Sequence, residues 1–217
     1  MIHQVEFKGQ PFGVVEGAVH KAYSVACFKP GGEEYAFRAR YWNIKPGDHV
    51  VDVGASYGAY TLAALVSEAV EVWAFEPEPS VFRDLCKNLD VNGYQGSSRV
   101  FAGEIALWDS VTQIDMKGYA PHWPEQTVTG LYNAMPFDDL AGSMTRFDWF
   151  KVDVEGAEER VIRGALHTIN KFRPKLIVEA HTFLDAELPN KVKALLPRYR
   201  WEEVPRGDVL MLIGESR

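Results

Sequence analysis

The chain has 217 residues, 47% of them apolar and 24% charged, with a net charge of −7. This is an ordinary globular composition, long enough to bury a full core. The acidic balance disfavours nucleic acid as main partner, since phosphate binding needs a basic face, and no apolar run approaches the ~20 residues of a membrane span.

No charged-then-apolar leader opens the sequence. Cys27 and Cys86 stand in apolar stretches without a CxxC or a Cys/His cluster, which fits buried thiols of a reduced, cytoplasmic protein. Nothing in the pattern specifies an oligomeric state.

Residues 1–47 read as an N-terminal strand and helix extension packed on a main domain of residues 48–217. Val5 and Phe7 alternate, as do Tyr23, Val25 and Cys27, between Gly/Pro-rich turns; two or three short strands are expected. A helix over Glu33 to Trp42 follows, carrying Tyr35, Phe37, Tyr41 and Trp42, too many aromatics to leave in water. Lys45-Pro46-Gly47-Asp48 is a turn.

From His49 strands and helices alternate, the mark of an α/β domain with a mostly parallel sheet. Strands are expected at Val50 to Val53, Val70 to Phe75, Arg99 to Ala102, Trp149 to Val154 and Lys175 to Glu179. Helices are expected from about Gly58 to Glu68, from Pro79 to Asn92, from Gly156 to Ile169 and from Ala186 to Leu196. Val111 to Met116 suggests a short antiparallel piece. Residues 117–134 show no period and read as an aromatic-bearing lid. Tyr199 to Val204 and Val209 to Ile213 form a closing hairpin with a longer loop around Pro205-Arg206-Gly207-Asp208.

In open α/β sheets ligands sit beyond the carboxyl ends of the strands. The first strand runs out through Asp52-Val53 into Gly54-Ala55-Ser56-Tyr57-Gly58. Gly54 lets the backbone approach a ligand, and Gly58 lets the next helix pack close to the strand. The third glycine of a dinucleotide fingerprint is missing, and Asp52 would repel a pyrophosphate but pair with an amine. Glu76 lies roughly 20 residues beyond the glycines, where a carboxylate accepts ribose hydroxyls; Glu78 suits a helix cap. The implied ligand has a ribose and an amino group and makes no demand for phosphate. S-adenosylmethionine matches that profile better than NAD.

The ordered set Val51-Asp52-Val53-Gly54-Ala55-Ser56-Tyr57-Gly58, Ala74-Phe75-Glu76-Pro77, Asn88-Leu89 with Asn92, Lys151-Val152-Asp153-Val154-Glu155-Gly156-Ala157-Glu158 and Glu179-Ala180-His181 resembles the FkbM family of S-adenosylmethionine-dependent methyltransferases. The resemblance covers roughly residues 45 to 182. It implies a Rossmann-like class I methyltransferase fold: a seven-stranded, mostly parallel sheet with an antiparallel C-terminal hairpin and helices on both faces. It also implies S-adenosylmethionine as cofactor. Asp52, Gly54, Ala55, Ser56 and Gly58 would cradle its methionine end, Glu76 with Pro77 the ribose, and Glu104, Ile105 and Ala106 the adenine.

Asp153 would lie where the methyl group is delivered, and Asp153, Glu155 and His181 are the catalytic candidates. A competing reading leaves Asp153 and Glu155 as charge matching for the following helix. Two carboxylates at one turn do not make a metal site, so no metal is expected. The activity that the resemblance implies is O-methylation of a hydroxyl on a small or sugar-like acceptor, with nucleic acid disfavoured as partner by the acidic charge. The rivals are an NAD-binding oxidoreductase and a catalytically silent binding protein on the same fold.

Overall fold

The computed structural model describes residues 1–15, 23–115 and 130–217, in two compact units, Met1–Glu104 and Ile105–Arg217. The first unit opens with a hairpin of β1 (Ile2–Phe7) and β2 (Gln10–Val15). Its two-residue turn, Lys8-Gly9, has both φ angles positive, at 50° and 79°, as a hairpin that follows the natural strand twist requires.

The expected strand at Tyr23 to Cys27 is instead a short helix, α1 (Tyr23–Ala26). Cys27 and Phe28 are adjacent and both buried, which a strand with one solvated face cannot achieve, because successive side chains point to opposite sides. Helix α2 (Glu33–Tyr41) follows as expected. Just beyond it, Trp42 is fully buried and donates from Nε1 to the Tyr60 carbonyl at 3.1 Å.

Three parallel strands form the rest of this unit's framework: β3 (His49–Val53), β4 (Glu71–Phe75) and β5 (Val100–Gly103). Helix α3 (Ala59–Val66) joins the first two and buries every residue from Tyr60 to Leu65. Helix α4 (Pro79–Val91) joins the next two and starts on Glu78, whose carboxylate accepts from Val81 N at 2.8 Å. The cap assigned to Glu78 from sequence is therefore present.

Two asparagines on α4 replace a neighbouring strand for β2. Asn92 accepts from Gly13 N at 2.8 Å and donates to Gly13 O at 2.7 Å. Asn88 accepts from Val15 N at 2.7 Å and donates to Tyr57 O at 2.8 Å. Spaced i, i+4, they lie on one helix face.

The second unit carries a small three-stranded sheet of β6 (Ala106–Leu107), β7 (Thr112–Asp115) and β8 (Leu131–Met135), ordered β6-β8-β7. Strand β8 takes in residues expected to lack regular structure; the rest of the expected lid, residues 117–129, lies outside the described residues. Helix α5 (Phe137–Leu140), β9 (Trp149–Val152), α6 (Glu158–Arg163), α7 (Leu166–Phe172), β10 (Lys175–Ala180), α8 (Leu188–Leu195), β11 (Tyr199–Arg206) and β12 (Val209–Ser216) complete the chain. Strands β9 and β10 are parallel, whereas β12 is antiparallel to both β10 and β11. The seven strands of the mixed, mostly parallel sheet run β11-β12-β10-β9-β3-β4-β5.

Two expectations for this unit change. The terminal hairpin turns on two residues, with Arg206 opposite Val209 and Gly207 at φ 59°. Pro205 therefore lies inside β11, tolerated because β11 is the sheet's edge strand. The single helix expected over 156–169 is broken into α6 and α7. At Gly164 an added Cβ would stand 1.8 Å from the Trp108 carbonyl oxygen, so the helix cannot carry a side chain there. The new start is capped from α5, where Asp138 accepts from His167 N and Thr168 N at 2.9 and 2.8 Å. Among the described residues no helix is long and apolar enough to cross a membrane.

Two stability predictions follow from these contacts. Asn88→Ala strands the Val15 amide and the Tyr57 carbonyl and should cost about 1–3 kcal/mol, read from the midpoint of urea unfolding; an unchanged midpoint would refute the clip. Gly164→Ala forces backbone apart and should cost about 3 kcal/mol or more, seen as a large drop in Tm, whereas Gly142→Ala, with open space around it and no left-handed backbone, should cost far less.

Candidate active site

In the first unit the turn after β3 is tied to the end of β4. The amides of Gly54 and Ala55 both donate to the Phe75 carbonyl, at 3.0 and 2.9 Å. The next amide, of Ser56, donates to Glu76 Oε2 at 2.9 Å, and Gly58 N closes the turn on Ala55 O at 2.9 Å. This path needs left-handed backbone at Gly54 (φ 69°), Ser56 (φ 52°) and Gly58 (φ 97°). Gly58 has a second constraint, since a Cβ there would meet Leu85 Cδ1 at 2.8 Å. Four amides of the turn thus have acceptors within the protein, which leaves it poorly equipped to cradle a pyrophosphate.

Glu76 is nearly buried, and its second oxygen accepts from Glu78 N at 3.0 Å. Two backbone amides, one on each flanking loop, fix the carboxylate before any ligand arrives. A carboxylate has about four lone-pair sites, more than these two amides alone occupy. Pro77 sits between Glu76 and the Glu78 amide, restricting the backbone there.

Asp52 lies inside β3, fully buried, and accepts from Thr61 Oγ1 of α3 at 2.7 Å. Sequence reading placed it in the turn; here it joins strand to helix. Tyr57 donates to Cys27 Sγ at 2.9 Å, and burial pushes that thiol up from its ordinary pKa. Neither Cys27 nor Cys86 is in a disulfide. Glu104 is exposed just after β5. In the second unit Ile105 is half-buried, and Ala106 is buried in β6, paired with Ala134.

The second unit gathers Asp153, Glu155 and His181, and adds Glu158 and Lys151 beside them. Asp153 follows β9 directly, and Glu155 (φ 54°) and Gly156 (φ 98°) turn the chain into α6. Glu158 is completely buried, and one oxygen, Oε1, accepts from Val154 N (3.2 Å), Gly156 N (3.1 Å) and His181 Nδ1 (2.8 Å). His181 Nε2 is left 3.3 Å from Glu155 Oε2 and 3.8 Å from Asp153 Oδ1. The buried Lys151 places Nζ 3.5 Å from Asp153 Oδ2.

Burial alone would lower the His181 pKa, but the hydrogen bond and charge of Glu158, with Asp153 and Glu155, push it up to about 9. Burial, then the charge of Asp153, pushes Glu155 up to about 7. Without other cations the ring is therefore an imidazolium at neutral pH, a proton donor among carboxylates.

Sequence reading gave Glu158 no role of its own and missed its grip on His181. The second residue it did not single out is Glu179, in β10. Its i, i+2 spacing to His181 put both on one face of the strand, a signal present in the sequence.

Comparison with known proteins agrees with this architecture. Residues 52–201 match the methyltransferase FkbM domain. The hexuronic acid methyltransferase AglP of Haloferax volcanii is 30% identical over 175 residues, covering 76% of this chain and 68% of AglP. Among solved structures, methyltransferase FkbM from Methylobacillus flagellatus superposes with a TM-score of 0.61 at 21% identity, over 82% of this chain; the chain spans only 46% of that protein. The 16S rRNA N2 G1207 methyltransferase RsmC of T. thermophilus, solved with AdoMet and guanosine, gives 0.55 at 16% identity, over 100% of this chain and 50% of RsmC. At those identities the two structures speak to the fold, while the domain match and AglP speak to descent. The chain belongs to the FkbM family of methyltransferases.

Proposed function

We propose that this protein transfers the methyl group of S-adenosylmethionine to an oxygen of a small, sugar-like acceptor. The observation that carries the cofactor reading is Glu76, held by Ser56 N and Glu78 N beside a turn whose own amides are already satisfied. That pairing suits an adenosine ribose attached to a group without phosphates. The methionine end would be taken by Asp52, Gly54, Ala55, Ser56 and Gly58, and the adenine by Glu104, Ile105 and Ala106.

The sugar-like acceptor is suggested by AglP, whose acceptor is a hexuronic acid. The methyl carbon of a sulfonium is already electrophilic, so the protein's main task is to align the acceptor oxygen with it at near-attack distance. In this reading Asp153, Glu155 and His181 act on the acceptor, and the carboxylates also favour the cofactor's positive sulfur.

Glu76→Ala should weaken S-adenosylmethionine binding roughly ten- to a hundred-fold by calorimetry, the worth of charge-assisted hydrogen bonds. Glu76→Gln keeps one carbonyl acceptor and should fall between that variant and wild type; unaltered affinity in both would show that the ribose binds elsewhere. With methyl-labelled cofactor, a panel of uronic acids and their glycosides should acquire label on oxygen, located by mass spectrometry of the products. Label on nitrogen acceptors alone would overturn the oxygen assignment.

A further inference from the structure

The acid and histidine cluster of the second unit has the donor set of a cation site. Asp153, Glu179 and His181 each offer a ligand atom within 4.8 Å of the others. Ligands sharing one small cation with bonds of about 2.0–2.3 Å stand some 3–4.5 Å apart, so only a small contraction is required. The 3.8 Å between His181 Nε2 and Asp153 Oδ1 already lies in that range.

The ring's orientation is the second observation. Nδ1 is held at 2.8 Å by Glu158, which is entirely buried and whose Oε2 has no hydrogen bond among the described residues. A buried carboxylate on the far nitrogen of a histidine fixes the tautomer that turns a lone pair on Nε2 toward a metal. Here Nε2 is the nitrogen that faces Asp153 and Glu155.

Charge points the same way. Asp153, Glu155, Glu158 and Glu179 together outnumber the cation on Lys151 and the ring. Lys151 Nζ lies 3.5 Å from Asp153 Oδ2, while Oδ1 is the oxygen on the histidine side. Asp153 and Glu179 are half-exposed, so an ion can enter without unfolding the site.

We infer that Asp153, Glu179 and His181 bind a divalent cation, with Glu158 as the positioning residue for His181. Carboxylate oxygens with a single imidazole suit Mn²⁺ or Mg²⁺, and positions left to water would accept oxygens of the acceptor. This revises the expectation of no metal, which counted only the two carboxylates of one turn. The binding site stands on its own geometry, while its part in the reaction rests on the proposed methyl transfer. There the acceptor oxygen bonds to the methyl carbon as the S–CH3 bond breaks. The bonding pair leaves on sulfur as a neutral thioether, and the hydroxyl proton, made more acidic by the cation, passes to a neighbouring carboxylate and on to water.

The test is metal binding by chelator-treated protein without cofactor. Titrated Mn²⁺, followed by loss of the free-ion EPR signal, should bind once per chain. Asp153→Asn and Glu179→Gln should weaken it at least ten-fold, and Glu158→Gln ten- to a hundred-fold. In wild-type protein Co²⁺ should give a strongly shifted exchangeable proton, the Nδ1–H donated to Glu158, so the inference can be judged even where a variant misfolds. No Mn²⁺ uptake at millimolar concentration, equal uptake by Asp153→Asn, or no such shifted proton would overturn it. Calorimetry with S-adenosylmethionine on the same samples separates the two readings: cofactor binding without metal binding defeats only the cation site, whereas metal binding without cofactor binding defeats the proposed methyl donor.

Discussion

The Phe75 carbonyl and the Glu76 carboxylate, successive acceptors at the end of β4, receive three successive amides of the turn after β3. Parallel strands cannot be joined by a tight hairpin, so their ends must find order through such contacts. The turn is therefore a continuation of the sheet's hydrogen bonding by other means. The left-handed Gly54, Ser56 and Gly58 are the conformational cost of aiming those amides at one neighbour. Ser56, a non-glycine residue at φ 52°, has its amide held in that conformation by Glu76.

The parallel strands and their helices were legible because each is a short apolar run ended by Gly, Pro or acid, and Glu76 was legible from its distance along the chain. What escaped reading was decided by partners far away in sequence. The alternation at Tyr23 to Cys27 was too short to distinguish strand from helix. The helix after Glu158 is split where the Trp108 carbonyl packs against Gly164, a contact that no local pattern at Gly164 announces. Asp52 was read from its neighbours in the turn, although its period along β3 turns it toward Thr61.

The second unit shows how one residue type serves different ends by environment alone. Glu158 and Glu159 both open α6, and both look like dipole matching. Glu159 is an ordinary surface partner of Arg163 at 2.7 Å. Glu158 is buried and commits one oxygen to two backbone amides and an imidazole. Burial raises the stakes of each charge, since an uncompensated buried carboxylate is far more costly than a solvated one. This explains why the acids around His181 act as a coupled group while those on the helix surface do not.

The asparagine pair on α4 has a consequence for how this chain keeps to itself. An outer strand normally displays a row of unused donors and acceptors to which another chain can add a strand. On β2 the Gly13 amide and carbonyl and the Val15 amide are already occupied by Asn92 and Asn88. A side-chain amide can imitate a peptide group but cannot extend into a further strand. The hairpin's outer edge, which already carries Pro11, is closed to templated growth at Gly13 and Val15 by two neutral side chains.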